Sequence, residues 1–207
     1  ALLWTIAGTV FLVTLGFILR LVGVEYDLQK QEAAYRKILV IAEDDVTIRP
    51  KTLGAAVAPV LIGTSMAISD GLFHLLSCLL CLFAAVLIQI GTNFSNDYYD
   101  FFKGADTSER LGPKRVTQSG LLEPDAVKQL FVIVFAMAVL CGFFLVLRGG
   151  WAILLIGLLS ITSGILYTGG PFPLAYHGLG DIFVMLFFGP IAVSGTYYVQ
   201  ALQWSEL

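Results

Sequence analysis

The chain has 207 residues, 57% of them hydrophobic and only 13% charged, with a formal net charge of −3. So little charge, spread through so much apolar sequence, excludes a nucleic-acid binder and a soluble globular domain and sets the class as an integral membrane protein. Its three cysteines, Cys78, Cys81 and Cys141, sit in apolar runs. Cys78 and Cys81 form a CxxC with no second pair or histidine beside it, so they read as small helix residues rather than a metal or redox site.

Ala1 to Val24 is an apolar run long enough to cross a bilayer. It lacks the basic start and small-residue cleavage site of a signal peptide. It therefore reads as an extra transmembrane helix, either a plain anchor or a docking element for a partner membrane subunit. The chain opens on Ala rather than Met, which points to processing or an incomplete start. Residues 25–51 form a polar segment in which Tyr26 to Ile41 can lie as an interfacial helix, and Glu43, Asp44 and Asp45 read as a solvated turn. Residues 52–207 hold five predicted core helices. Thr52 to Ile68 is the first, with Pro59 predicted to kink it and Gly54, Ala55, Ala56 and Ala58 giving it a slim face. Asp70-Gly71 is a turn, and Leu75 to Asp100 is the second helix, which Gly104 closes. Gly112-Pro113 and Gly120 break a basic loop; Pro124 opens the third helix, Ala126 to Leu147. Arg148-Gly-Gly turns into the fourth, Trp151 to Tyr167. A second breaker-rich loop, TGGPFP, precedes Ile182 to Val199, the fifth, with a bend expected at Gly189-Pro190. The fold class is all-α, a polytopic transmembrane helical bundle. The loops at 25–51, 93–123 and 168–180 share one side and carry most of the Lys and Arg, so that side is expected to be cytoplasmic.

The one dense polar cluster is Asn93 to Gly120. At 100° per residue, Gln89, Asn93, Asn96, Asp97 and Asp100 fall on one stripe of the second helix. Carboxylates at a bilayer boundary are costly unless paired, hydrated or metal-bound. Asp and Asn oxygens without Cys or His suit a hard cation such as Mg2+, which commonly bridges carboxylates to phosphates. Lys114 and Arg115 follow and suit phosphate oxygens, while Thr117, Gln118 and Ser119 add donors. Acids, a cation and basic side chains together point to a diphosphate held at the membrane surface.

Asn96-x-x-x-Asp100 followed by Asp106 resembles the first aspartate-rich motif of the UbiA-type intramembrane prenyltransferases. The longer string NDYYDFFKGADTSERLGPKRVTQSGLL is similar to the branch of that family that prenylates 1,4-dihydroxy-2-naphthoate in menaquinone synthesis. RPKTLGAAVAPVLIGT (Arg49 to Thr64) and YHGLGDIFVMLFFGPIAVSGTYYVQ (Tyr176 to Gln200) resemble the same family in the same order. The resemblance implies transfer of a polyprenyl group from polyprenyl diphosphate to the naphthoate, with Mg2+ as cofactor and membrane lipid around the site. On this reading Asn96, Asp100 and Asp106 hold Mg2+ and the diphosphate with Asp97 in support, and Lys114 and Arg115 contact diphosphate oxygens. Asn93 and Gln118 join the substrate-binding residues, Gln118 as a donor to a phosphate or an aromatic hydroxyl. Asp100 and Asp106 are placed in the catalytic group. Tyr176 and Asp181 face the aromatic acceptor or its deprotonation, and Asp181 reads equally as a helix cap. The family's second aspartate-rich motif does not occur before Leu207, so residues 52–207 resemble a partial domain. A non-catalytic membrane subunit that binds lipids, quinones or pigments is the alternative.

Overall fold

The computed structural model describes residues 49–104 and 115–203, all within the compact unit Ile41–Leu207. The predicted helix at 1–24 and most of the 25–51 segment lie outside the described residues. Five α-helices are present among those described: α1 Pro50–Ser69, α2 Leu75–Phe102, α3 Pro124–Leu166, α4 Gly180–Leu186 and α5 Ala192–Ala201. No strand accompanies them among the described residues. Four stretches are long and apolar enough to cross a membrane: Thr52–Ser69, Leu75–Phe102, Pro124–Leu166 and Gly180–Ala201.

Local chemistry sets the boundaries. Pro50 opens α1 and Pro124 opens α3, each at a position where no intrahelical N–H is needed. His74 caps α2 by accepting the backbone N–H of Ser77 at 3.2 Å. At 28 residues α2 is about 42 Å long, more than a bilayer core requires. Its last turns therefore stand at the boundary, where the polar stripe lies. α3 is helical at both ends but broken at Gly150, whose φ of 70° and ψ of −155° belong to glycine almost alone. That break is the predicted Arg148-Gly-Gly turn, and it folds α3 into a hairpin of two arms. Phe135 on the first arm meets Gly91, while Gly164 on the second meets Thr92. Both arms thus reach the same level of α2, which a straight helix could not do. The bend expected at Gly189-Pro190 is a π-helical turn, Phe187–Ile191, joining α4 to α5. Pro59 lies inside α1.

Packing follows size. α1 comes so close to α5 that a Cβ on Gly63 would meet the Val193 carbonyl oxygen at 2.5 Å. Away from these contacts the outer surface is apolar, with Leu147, Trp151, Met185 and Phe144 well exposed, as suits a bundle whose solvent is lipid. The ends of the bundle are polar. At one end Gln200 donates to Thr64 Oγ1 at 2.9 Å, the Tyr197 hydroxyl donates to Asp70 at 2.7 Å, and Arg148 donates to the carbonyls of Val199 and Gln200 at 2.8 and 3.0 Å. The last pair closes the C-terminus of α5, whose final carbonyls have no helical partner.

Replacing Gly63 by leucine is expected to lower the melting temperature in detergent, since overpacking at such a contact costs about 1–3 kcal/mol. Gly54→Leu, where nothing lies within 4 Å of the new Cβ, is expected to melt like the parent.

Candidate active site

The opposite end of the bundle gathers the predicted stripe. Gln89, Asn93, Asn96, Asp97 and Asp100 are all buried, Asp97 to 1% and Asp100 to 3% residual exposure. Two carboxylates so far from water need counter-charge, and two arginines supply it. Arg115 donates to Asp97 Oδ1 at 2.7 Å and also to Asp100 Oδ2. Arg49 donates to the same Asp97 oxygen at 2.5 Å. The backbone N–H of Val116 donates to Asp97 Oδ2 at 3.3 Å. The four side chains carry equal and opposite formal charge, which is the condition under which buried ions are tolerated.

Two local features bring the arginines there. Arg49 is the N-cap of α1 in a left-handed conformation, φ 46° and ψ 70°. Arg115 begins the tight turn 115–120, in which Ser119 and Gly120 donate backbone N–H groups to the carbonyls of Arg115 and Thr117. Val116 anchors that turn from a fully buried position against Leu121 and Leu122.

The amides extend the network towards the other helices. Asn93 donates to Thr52 Oγ1 at 3.1 Å and accepts from Gln89 at 3.2 Å. Asn96 accepts from Thr168 Oγ1 at 2.8 Å. The Tyr176 hydroxyl donates to Asp100 Oδ1 at 2.5 Å. Below this layer lies a cavity of about 720 Å³, the size of a small-molecule site. Arg49, Gln89, Asn93 and Asn96 line its polar end, and side chains such as Val60, Ile88, Phe183 and Val199 line the rest. The arrangement can hold a charged head among polar groups and a hydrocarbon tail below it.

Of the candidate residues, the structure brings together Asn93, Asn96, Asp97, Asp100, Arg115 and Tyr176. Asp106 and Lys114 lie outside the described residues. Gln118 is exposed on the 115–120 turn. Asp181 is exposed in the first turn of α4, where Leu179 is the N-cap and no side chain caps the helix. The capping alternative for Asp181 is therefore corrected. Thr117, expected to add a donor, is buried with its hydroxyl unbonded. Arg49, Thr52 and Thr168 belong to the network and were not among the candidates. In the sequence Arg49 stands only in the polar 25–51 segment and at the head of the string RPKTLGAAVAPVLIGT, and its partner is 48 residues away.

The donor set suits a hard cation. The acidic and amide groups offer only oxygen, and the Arg115 guanidinium, bonded to an oxygen of each aspartate, shows both carboxylates converging on one positive charge. Among the described residues no group of three His, Cys, Asp or Glu side chains forms a cage.

Comparison with known proteins covers the same region. Residues 56–207 match the UbiA prenyltransferase family, and residues 1–62 match the SbmA/BacA-like family. The 1,4-dihydroxy-2-naphthoate octaprenyltransferase of Escherichia coli (strain K12) is 41% identical over 75% of this chain and 52% of its own length. The protein of the same name from Bacillus subtilis (strain 168) is 38% identical over 73% of this chain and 49% of its own. The "UbiA prenyltransferase domain-containing protein 1" of Danio rerio is 32% identical over 84% of this chain and 49% of its own. The chain spans about half the length of the curated relatives it matches.

Asp97→Ala removes the carboxylate that Arg49, Arg115 and the Val116 N–H all bond. Breaking a buried pair by removing one partner costs about 3–5 kcal/mol, so a large drop in the detergent melting temperature is expected. Tyr176→Phe removes one hydrogen bond, worth about 1 kcal/mol or less between membrane helices. It should melt close to the parent.

Proposed function

The chain belongs to the UbiA prenyltransferase family, and from that premise we propose that it serves the transfer of a polyprenyl group from polyprenyl diphosphate to 1,4-dihydroxy-2-naphthoate, as in menaquinone synthesis. The observation that carries this reading is the position of the polar stripe. Two buried aspartates and three amides, matched by arginines, stand at one end of an apolar cavity. A polyprenyl diphosphate has that same division, an anionic head on a hydrocarbon tail. The names of the relatives supply the acceptor and the class of donor.

In this reading Asn96, Asp100 and Asp106 would hold Mg2+, and Asp97 keeps its two arginines in place. Bound there, Mg2+ would stabilise negative charge on the leaving diphosphate as the allylic carbon–oxygen bond breaks. Arg115 and Lys114 would meet diphosphate oxygens, and Arg49 presents a further cation at the cavity's polar end. The apolar wall holds the isoprenoid chain and keeps water from the carbocation until the electron-rich ring attacks it. Attack forms the new carbon–carbon bond. Tyr176 would then border the acceptor, and an acid–base group on the same side, Asp181 among the candidates, would take the ring proton. The concentration of Lys and Arg in the predicted loops on the side of the stripe supports a cytoplasmic face there by the positive-inside tendency.

The test is the purified full-length gene product with Mg2+, a prenyl diphosphate and dihydroxynaphthoate. Prenylated product is expected, and its absence from folded protein would overturn the assignment. Asp100→Ala is expected to lower kcat by about three orders of magnitude, the scale of losing one transition-state charge contact. EDTA should abolish turnover, and added Mg2+ should restore it.

A further inference from the structure

One basic side chain lies beyond the stripe and has no part in the mechanism above. Asn96, Asp100 and Lys103 follow at i, i+4 and i+7 along α2, so they share a face. All three bond to one segment, residues 168–176. Thr168 Oγ1 donates to Asn96, and the Tyr176 hydroxyl donates to Asp100. Lys103 Nζ donates to the carbonyl oxygens of Thr168 at 2.6 Å and Gly170 at 3.3 Å. The same ammonium stands 5.3 Å from the centre of the Tyr176 ring, within cation–π range.

Pro171 and Pro173 have no N–H to give. Three of the segment's amides are already committed: Gly169 to Ile165, Ala175 to Tyr167, and Tyr176 to Pro173 within the segment itself. Lys103 supplies a donor from α2 to the carbonyls of Thr168 and Gly170. On the other side the segment is pressed against α2. A Cβ on Gly169 would meet the Tyr99 ring at 2.7 Å. The segment is thus held between a ring at one turn of α2 and an ammonium one turn further on.

We infer that Lys103 is a positioning residue: its ammonium fastens segment 168–176 onto the end of α2 and so sets Thr168 against Asn96 and Tyr176 against Asp100. Without it Tyr176 leaves Asp100, whose remaining described partner is Arg115. The effect on turnover rests on the prenyl-transfer reading; the fastening does not.

The experiment therefore has two readouts on the full-length protein. In detergent, Lys103→Met should raise amide hydrogen exchange across 168–177 by about tenfold or more, with the first arm of α3 unchanged. Lys103→Arg, which keeps the charge and the donors, should restore most of the protection. If Lys103→Met fails to fold, Lys103→Gln takes its place with the same expectation. In kinetics, Lys103→Met should lower kcat by about tenfold or more with the KM for prenyl diphosphate changed little, the mark of misplacement rather than lost binding. Combined with Tyr176→Phe, its loss should fall short of the product of the single losses, because both act through one contact. Unchanged exchange at 168–177 in Lys103→Met, or single losses that multiply in full, would overturn the inference. A protein without prenyl transfer would refute the functional reading while the exchange measurement still decides the role of Lys103.

Discussion

Two aspartates on one stripe of a single membrane helix, both out of water, constrain everything around them. Charges in that setting are tolerated only when neutralised and fully hydrogen-bonded. Asp97 and Asp100 meet this through Arg115, which reaches both, and through Arg49, which reaches Asp97. Those contacts join the start of α1, the end of α2 and the turn at 115–120. The ion cluster is thus also a joint between chain segments. It fixes the polar end of the cavity because Arg49 and Asn96 are at once cavity wall and members of the network.

α2 is the helix through which the parts communicate, and its sides can be told apart by residue size. Gly91 and Thr92 receive the two arms of α3. Asn93 and Asp97 face the start of α1 through Thr52 and Arg49. Asn96 and Asp100 face the loop that follows α3. A turn of helix brings each set round in order, so a single α-helix distributes three kinds of contact with no bend of its own. The break at Gly150 is what lets two arms reach it at one level.

Much of this was legible in the sequence, and the part that was not has a common cause. Apolar length, breakers and periodicity are local properties. They suffice for the five core spans, the Gly150 turn, the bend at Gly189-Pro190 and the placing of five polar residues on one stripe. Pairing is not local. Arg49 meets Asp97 across 48 residues, and Thr168 meets Asn96 across 72. No periodicity reports such contacts, so in the sequence Arg49 is part of the polar segment before the first core helix and Thr168 part of a loop. Asp181 shows the converse: an acid at a helix start invites a capping role, yet the chain caps that helix with Leu179 and leaves the carboxylate in solvent.

The far end of the bundle carries its own polar fastening, where Gln200, Thr64, Tyr197, Asp70 and Arg148 tie α5 to α1 and to the turn of α3. Between the two fastened ends the helices meet largely through apolar side chains, such as Val60, Cys81, Leu145 and Ile153. Directional bonds resist sliding, whereas dispersion contacts are weak one by one and unoriented. Compliance is therefore concentrated at mid-depth. The barrel of the bundle can widen or narrow while the rims keep their register, much as a stave vessel hooped at top and bottom yields at the belly.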